Sequence, residues 1–457
     1  MKCIEDEIPF ELPEGWAWAR LASLIELFIT GPFGSALHKS DYVTDGIPLI
    51  NPMNIIDGKV IPIDKMQVSP ETVERLSSFK VAPNDIVIAR RGDMGRCAVV
   101  QPAQEGWLCG TGSFILRLPA VLCSEYFAAC LRSPYSVELM SGNSIGNTML
   151  NLNQTILKSI LIPVPPCTEQ NRIINAIFYA NTLLAEIAAQ REALVMSVAK
   201  TKSKILNLAI RGQLVPQDPA DEPASVLLER IRAEKEELIK QGRIKRDKKE
   251  SVIFRGEDNS YYLNDGQMTV DINDDLPFDI PVSWCWARLK DVFIINPRNK
   301  LDDDLDVSFI PMPLIDDGYS GKHTAEVRRW KEVKTGFTHF AEGDIGVAKI
   351  TPCFENRKST VFENLTNGYG AGTTELHVLR PLGKNIFAQY LLAYVKSDYF
   401  VENGKQTFTG DVGQQRISKA YVENAYFPLP PIKEQERIVQ QIGIIYEHLN
   451  MISDALS

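Results

Sequence analysis

The sequence predicts an α+β protein in which one domain plan occurs twice, each copy running into a long helix. Three observations carry this. "PVPPCTEQNRI" (163–173) returns as "PLPPIKEQERI" (428–438), with seven of eleven positions identical. "DEIPFELPEGWAWARL" (6–21) is answered by "DDLPFDIPVSWCWARL" (274–289). Trp16 and Pro163 stand 147 residues apart, and Trp284 and Pro428 stand 144 apart, so matching flanks enclose middles of nearly equal length. A period this long is a duplication rather than a solenoid. A chain of 457 residues also exceeds one ordinary core.

Inside each copy, "NDIVIAR" (84–90) corresponds to "GDIGVAK" (343–349), and "GTGSFILRL" (110–118) to "GAGTTELHVLRP" (370–381). These read as strands, while "SEYFAACLRS" (124–133) and "NIFAQYLLAYVKS" (385–397) read as helices. Strands and helices do not alternate regularly, so the class is α+β rather than a doubly wound sheet. Three prolines in four residues then stop the last strand of the first copy, and Thr168, Glu169 and Gln170 cap and open a helix.

That helix carries an apolar seam on alternating steps of four and three: Ile173, Ile177, Ala180, Leu184, Ile187, Leu194, Val198, Ile205 and Leu208. The second copy repeats it in register at Ile438, Ile442, Ile445, Leu449, Ile452 and Leu456. Sustained heptads mean helices that pack along their length, and two seams in one register are expected to face each other, Ile187 and Ile452 in equivalent positions. A helix over 168–211 is about 65 Å long, and the second is roughly half that. Gly212 and Pro216 end the first. Residues 221–250 follow, with a modest stripe of Val226, Leu227, Ile231, Leu238 and Ile239, and read as a solvated surface helix, with contact of its basic end to phosphate as the alternative. The division is then 1–162, 163–250, 251–427 and 428–457.

Bulk composition narrows the function. A net charge of −9 weighs against nucleic acid unless basic residues cluster locally. No apolar run is long enough to span a bilayer. The N-terminus has acids and prolines where a signal peptide needs an apolar stretch, so a cytoplasmic protein is expected. Eight cysteines are placed singly, without a Cys-x-x-Cys pair, and the five histidines lie far from them. No zinc or other metal site and no disulfide framework is expected, only reduced, mostly buried thiols.

Two divergent domains, each followed by a matched Pro-Pro-Glu-Gln helix, resemble the specificity subunit of Type I restriction–modification enzymes. "LNLAIRGQLVPQDPADEPASVLLERIRAEKEELI" (206–239) looks like the region between that family's two target-recognition domains, and the likeness covers essentially the whole chain. The resemblance implies two target-recognition domains separated by long helices that pack as an antiparallel coiled coil. Each domain would hold one half of a bipartite double-stranded DNA target. Two methyltransferase subunits would bind around the helices, and endonuclease–translocase subunits would complete the complex. S-adenosylmethionine, ATP and Mg would belong to those partners, with no cofactor in this chain. The shorter second helix departs from the family's plan.

Local charge supplies candidate DNA contacts. "IARRGDMGRCAVV" (88–100) reads as strand, turn, strand, with Arg90, Arg91 and Arg96 beside the tip. "AKITPCFENRKSTV" (348–361) places Lys349, Arg357 and Lys358 in corresponding surroundings, with Asn356 as a base reader. Arginine's planar fork matches guanine's major-groove acceptors, and Asn or Gln matches adenine. "GKHTAEVRRWKEVKTG" (321–336) adds Lys322, Arg328, Arg329, Lys331 and Lys334. "GPFGSALHKSDY" (31–42) offers glycines for close backbone approach, with Ser35, His38 and Lys39. Each cluster alone is equally an ordinary solvated face; matching positions in both copies favour the set.

Catalysis lacks its motifs. "NPMN" (51–54) and "NPRN" (296–299) miss the second proline and the aromatic of an amino-methyltransferase, and there is no P-loop. A non-catalytic recognition and scaffold subunit is expected; a bivalent coiled-coil adaptor that binds proteins, with no DNA role, is the alternative.

Overall fold

The computed structural model describes residues 5–33, 36–142, 152–246, 251–383, 386–411 and 413–456. They form two compact units, Met1–Ala188 and Ala189–Ser457.

The first unit is built on a four-stranded antiparallel sheet in the order Leu27–Thr30, Ser113–Arg117, Ile86–Ala89, Cys97–Val99. Ile86, Ile88, Phe114 and Leu116 pack against Phe127 and Leu131 of the helix Ser124–Arg132. Val87, Ala98 and Ile115 point the other way, into a second core with Ile50 and Cys109. Both faces are covered, which is why "IVIA" is an unbroken apolar run instead of an alternating one. A second sheet contributes one parallel pair, Leu108–Cys109 beside Ile47–Ile50.

The second unit repeats the plan. Its sheet runs Phe293–Ile295, Leu376–Pro381, Ile345–Ala348, Ser359–Val361, again antiparallel throughout. Its second sheet has the matching parallel pair, Asp306–Ile310 beside Tyr369–Gly372. A three-stranded sheet, Val252–Arg255, Tyr261–Asn264 and Thr269–Asp271, is an addition that the sequence did not announce. It packs through Ile253 against Trp286.

The repeated flanks are partners within each copy. Strand Ala17–Arg20 pairs with Leu161–Val164, and Cys285–Arg288 with Tyr426–Leu429. The chain therefore closes each domain by pairing its Trp-rich entry with its proline-rich exit. Tyr126 donates its hydroxyl to the Pro163 carbonyl at 2.8 Å; Tyr390 does the same to Pro428 at 2.9 Å. Gln170 accepts from the Cys123 N–H and donates to the Pro165 carbonyl, both at 3.0 Å. Gln435 accepts from the Phe387 N–H at 3.0 Å and donates to the Pro430 carbonyl at 2.9 Å. Both glutamines are fully buried, so each satisfies two backbone groups that water cannot reach. The "NDIVIAR/GDIGVAK" landmarks add a third matched device. The buried Asp85 grips Arg117 through two 2.7 Å bonds, and Asp344 grips Arg380 at 2.8 and 2.7 Å.

The first long helix is Cys167–Ile210 and the second Ile432–Leu456, 44 and 25 residues, or ~66 and ~38 Å. Within the second unit their roots run antiparallel. Lys202 donates to Asn450 at 2.6 Å and its carbonyl accepts from Tyr446 at 2.9 Å. Beyond the end of the first helix, Asp221 pairs with Arg437 at 2.6 Å near the start of the second. The seam is covered only in part. Val198 is buried, but Leu184, Ile187, Leu194 and Ile452 are 64, 60, 44 and 42% exposed. The expectation that Ile187 and Ile452 are buried is thus corrected, each being exposed, while the antiparallel packing of the two helices is seen within the second unit at Lys202, Tyr446 and Asn450.

The helix Ala224–Lys240 is a second correction. Instead of a solvated surface helix, it buries Ala224, Leu227, Leu228 and Ile231 in the core of the second unit with Trp284. Trp284 in turn donates its indole N–H to Glu434 at 2.9 Å, and Gln217 donates to the same carboxylate at 2.5 Å. Burial pushes the Glu434 carboxyl up against the effect of those bonds. In the first unit Trp16 and Glu169 are only half-buried and Arg172 is exposed. Of the thiols, Cys97 and Cys109 are buried and pushed up to about 12 by desolvation; Cys167 is exposed.

Candidate nucleic-acid interface

The central strand of each sheet ends at the same kind of place. In the first unit, Ile86–Ala89 and Cys97–Val99 form a hairpin whose loop, 90–96, turns at Gly92 and Gly95, both with positive φ. Arg90 leaves the strand at its end. Its N–H donates to the Gly112 carbonyl at 2.9 Å and its own carbonyl accepts from Leu152 at 2.8 Å, so the backbone is held on both sides. The guanidinium lies 5.4 Å from the Phe33 ring centroid and 5.5 Å from that of Phe114. Burial, then the charge of Arg91, lowers its pKa from the usual arginine value. Arg91 is exposed. Arg96 is tied to Asp93 and donates to the Pro52 carbonyl at 3.3 Å.

Phe33 belongs to the segment that follows strand Leu27–Thr30. An added Cβ on Gly31 would lie 1.9 Å from the Gly110 carbonyl oxygen, so glycine is needed for that backbone approach. His38 and Lys39 are exposed further along; Asp41 accepts from the His38 N–H at 2.7 Å and pairs with Arg75 at 3.0 Å. Ser35 lies outside the described residues.

In the second unit, sheet register aligns Lys349 with Arg90 and His377 with Phe114. A cavity of about 270 Å³ opens there, lined by Asn296, Arg298, His339 and Lys349 among others. His377 is buried beside it, contacts Asn296 at 3.4 Å, and is pushed down to about 4, by desolvation first. Lys349 has no ion pair among the described residues.

The remaining candidates sort by partner. Arg357 adopts a positive φ of 56°, pairs with Asp398, and donates Nε to the Lys396 carbonyl at 3.0 Å. Lys358 donates to the Ile315 and Met312 carbonyls at 2.9 and 3.3 Å. Both side chains are mostly buried and act as internal ties. Between them, Lys396 donates to the Gly318 and Arg357 carbonyls at 2.6 and 2.7 Å, and its ammonium is pushed down to about 7 by burial. Asn356 is exposed, its carbonyl accepting from Gly318 at 2.7 Å.

The cluster at 326–334 meets carboxylates at every cation. Arg328 pairs with Glu326, Arg329 and Lys331 with Asp304, and Lys334 with Asp303, at 2.8 to 3.3 Å. These pairs are about half exposed, a setting in which each contributes little. Lys322 is exposed without an ion pair among the described residues.

Residue reasoning missed Phe33, Arg298 and His377. Phe33 had a signal, an aromatic residue between glycines; Arg298 is a single residue in the irregular segment after Phe293–Ile295, and His377 a single residue near the start of a strand. Among the described residues no helix is long and apolar enough to cross a membrane.

Comparison with known proteins bears on all of this. The chain is 48% identical over 243 residues to the Type I restriction enzyme EcoAI specificity subunit of Escherichia coli, which covers 53% of this chain and 38% of that one. It is 46% identical to the EcoEI specificity subunit over the same length. The chain thus spans about two-fifths of the length of these curated relatives. The HsdS subunit from Thermoanaerobacter tengcongensis superposes with a TM-score of 0.54 at 17% identity, over 98% of this chain and 93% of that one, a likeness of fold. The family model described as the Type I restriction modification DNA specificity domain matches twice, at 13–195 and 281–452, so the duplication is two copies of that domain and the chain belongs to this family.

Proposed function

We propose that the chain is a non-catalytic DNA-recognition and scaffold subunit of a Type I restriction–modification complex, each domain reading one half of a bipartite target. One observation carries the reading: two copies share an inner frame but differ at one strand end, where Arg90 with Phe114 stands against Lys349 with His377. A shared frame with different tips suits two readers of different sequences. The division into 1–162, 163–250, 251–427 and 428–457 then separates two readers from two helices that set their spacing. Exposed seam residues such as Leu184 and Ile187 offer a face to partner subunits. Those partners are two methyltransferase subunits and endonuclease–translocase subunits, which would carry S-adenosylmethionine, ATP and Mg. The site of action is the cytoplasm, where that DNA lies.

The test is a domain exchange. Replacing the segment between Trp16 and Pro163 with that of a family member of different specificity, in cells carrying the methyltransferase subunits, is expected to replace one half-site and leave the other intact. Methylation-site sequencing gives the result. An exchange that alters both half-sites together, or leaves both unchanged, overturns the assignment; absence of any DNA binding by the assembled complex favours the adaptor.

A further inference from the structure

Arg90 differs from the other cations in how completely it is prepared. Its backbone is held on both sides by the bonds to Gly112 and from Leu152. Its guanidinium is flanked by Phe33 and Phe114. Nε is closed to solvent and makes no hydrogen bond within the described residues, so Nη1 and Nη2 form the working edge. No carboxylate pairs with it among the described residues. Phe33 is 64% exposed, although an aromatic ring of that size is normally covered.

We propose that Arg90 is the guanine reader of the first recognition domain and that Phe33, with Phe114 beneath, is its positioning residue. This rests on the DNA-recognition reading above. A phosphate takes a cation from many directions, but the O6 and N7 of guanine lie in one plane and demand a guanidinium fork held in that plane. Cation–π contact with the two rings favours that orientation before DNA arrives, and so removes part of the ordering cost of binding. The second domain has an ammonium, Lys349, at the same register position, with His377 in place of Phe114. At that register position the copy has no guanidinium fork, the nearby Arg298 coming from a different segment, so the same strand end reads its half-site differently. Arg91, exposed beside Arg90, is placed for phosphate.

The assembled methyltransferase complex is the material for the test. Wild type fixes the first half-site and its guanines by methylation sequencing. Arg90→Lys keeps the charge and loses the fork. It is expected to lower methylation of the normal site roughly ten- to hundredfold and to relax preference at one guanine of the first half-site only. Phe33→Ala, at an exposed position that folding tolerates, is expected to relax the same base to a smaller degree. Arg91→Ala should weaken all sequences alike and reduce the salt slope by about one ion. The proposal is overturned if Arg90→Lys behaves like Arg91→Ala, if the relaxed base is not guanine, or if Phe33→Ala leaves the preference unchanged. A wild-type complex whose target does not depend on the first domain overturns the recognition reading itself, and this inference with it.

Discussion

Gln435 offers the sharpest test of why the chain repeats Pro-Pro-x-x-Glu-Gln. Its side chain satisfies the Phe387 N–H and the Pro430 carbonyl in a site closed to water. Gln435→Ala strands both groups. At about 1–3 kcal/mol for each unpaired buried group, the loss is roughly 2–6 kcal/mol before the void is counted. A domain of ordinary stability holds about 5–15 kcal/mol, so the variant still folds but its junction opens more often. Gln435→Glu is more informative. The carboxylate keeps the bond from Phe387 but meets the Pro430 carbonyl with no proton between them. Its folded pKa is therefore raised, and a raised carboxyl costs stability as pH climbs above the unfolded value near 4.3. The deficit relative to wild type should be larger at pH 7.5 than at pH 5. Hydrogen exchange of the full chain, followed over the helix Ala388–Val395 and the start of Ile432–Leu456, measures both effects. A loss under ~1 kcal/mol for Gln435→Ala, well below the range for stranded buried groups, would refute the reasoning. So would a pH-independent deficit for Gln435→Glu. Gln170→Ala should give the same opening in the first unit, at the helix Ser124–Arg132.

Two further outcomes are expected. His377 is buried near Lys349, Lys419 and Glu423 with its pKa pushed down to about 4 from 6.5; the folded state resists its protonation, so stability falls as pH drops from 6.5 towards 4. The full loss is about 3 kcal/mol, and denaturant unfolding of His377→Gln should show correspondingly less acid sensitivity than wild type; equal sensitivity would contradict the assignment. Asp398 accepts from Arg357 in the 352–358 loop and from Ser203 and Asn207 in the first long helix. Asp398→Ala should cost about 1–3 kcal/mol and raise hydrogen exchange in both segments together; a rise confined to one would mean that the carboxylate does not join them.

The fold was legible because the two copies check one another. Either Trp-rich flank alone is a weak motif. Together with its proline-rich counterpart at a fixed distance, twice, it defines a closed domain, and the strand pairs Ala17–Arg20 with Leu161–Val164 and Cys285–Arg288 with Tyr426–Leu429 are that closure. The hairpin around Arg90 was legible from its glycines. Which cations remain free was not. Arg357 meets Asp398, 41 residues on, and Lys334 meets Asp303, 31 residues back. Ion pairing across such distances depends on tertiary geometry, so a local run of basic residues says only that charge is present. Exposure along the seam was hidden for a related reason. Heptads state that Leu184 and Ile187 form an apolar face; whether this chain or a partner covers it is decided by what lies alongside.

What the copies share and where they differ then separates frame from reader. The matched devices are Gln170 with Gln435, Tyr126 with Tyr390, and Asp85–Arg117 with Asp344–Arg380. All lie inside a domain or at the root of a helix, where each satisfies groups the fold cannot leave unpaired. The exchanged pairs, Arg90 for Lys349 and Phe114 for His377, lie at one end of the paired central strands, the two cations half-buried and the two rings buried beside them. At this strand end they change charge geometry, ring contact and hydrogen-bonding capacity at once while the matched devices keep their bonds. On the proposed reading, that is what a chain needs in order to present two different surfaces to DNA from two copies of one domain.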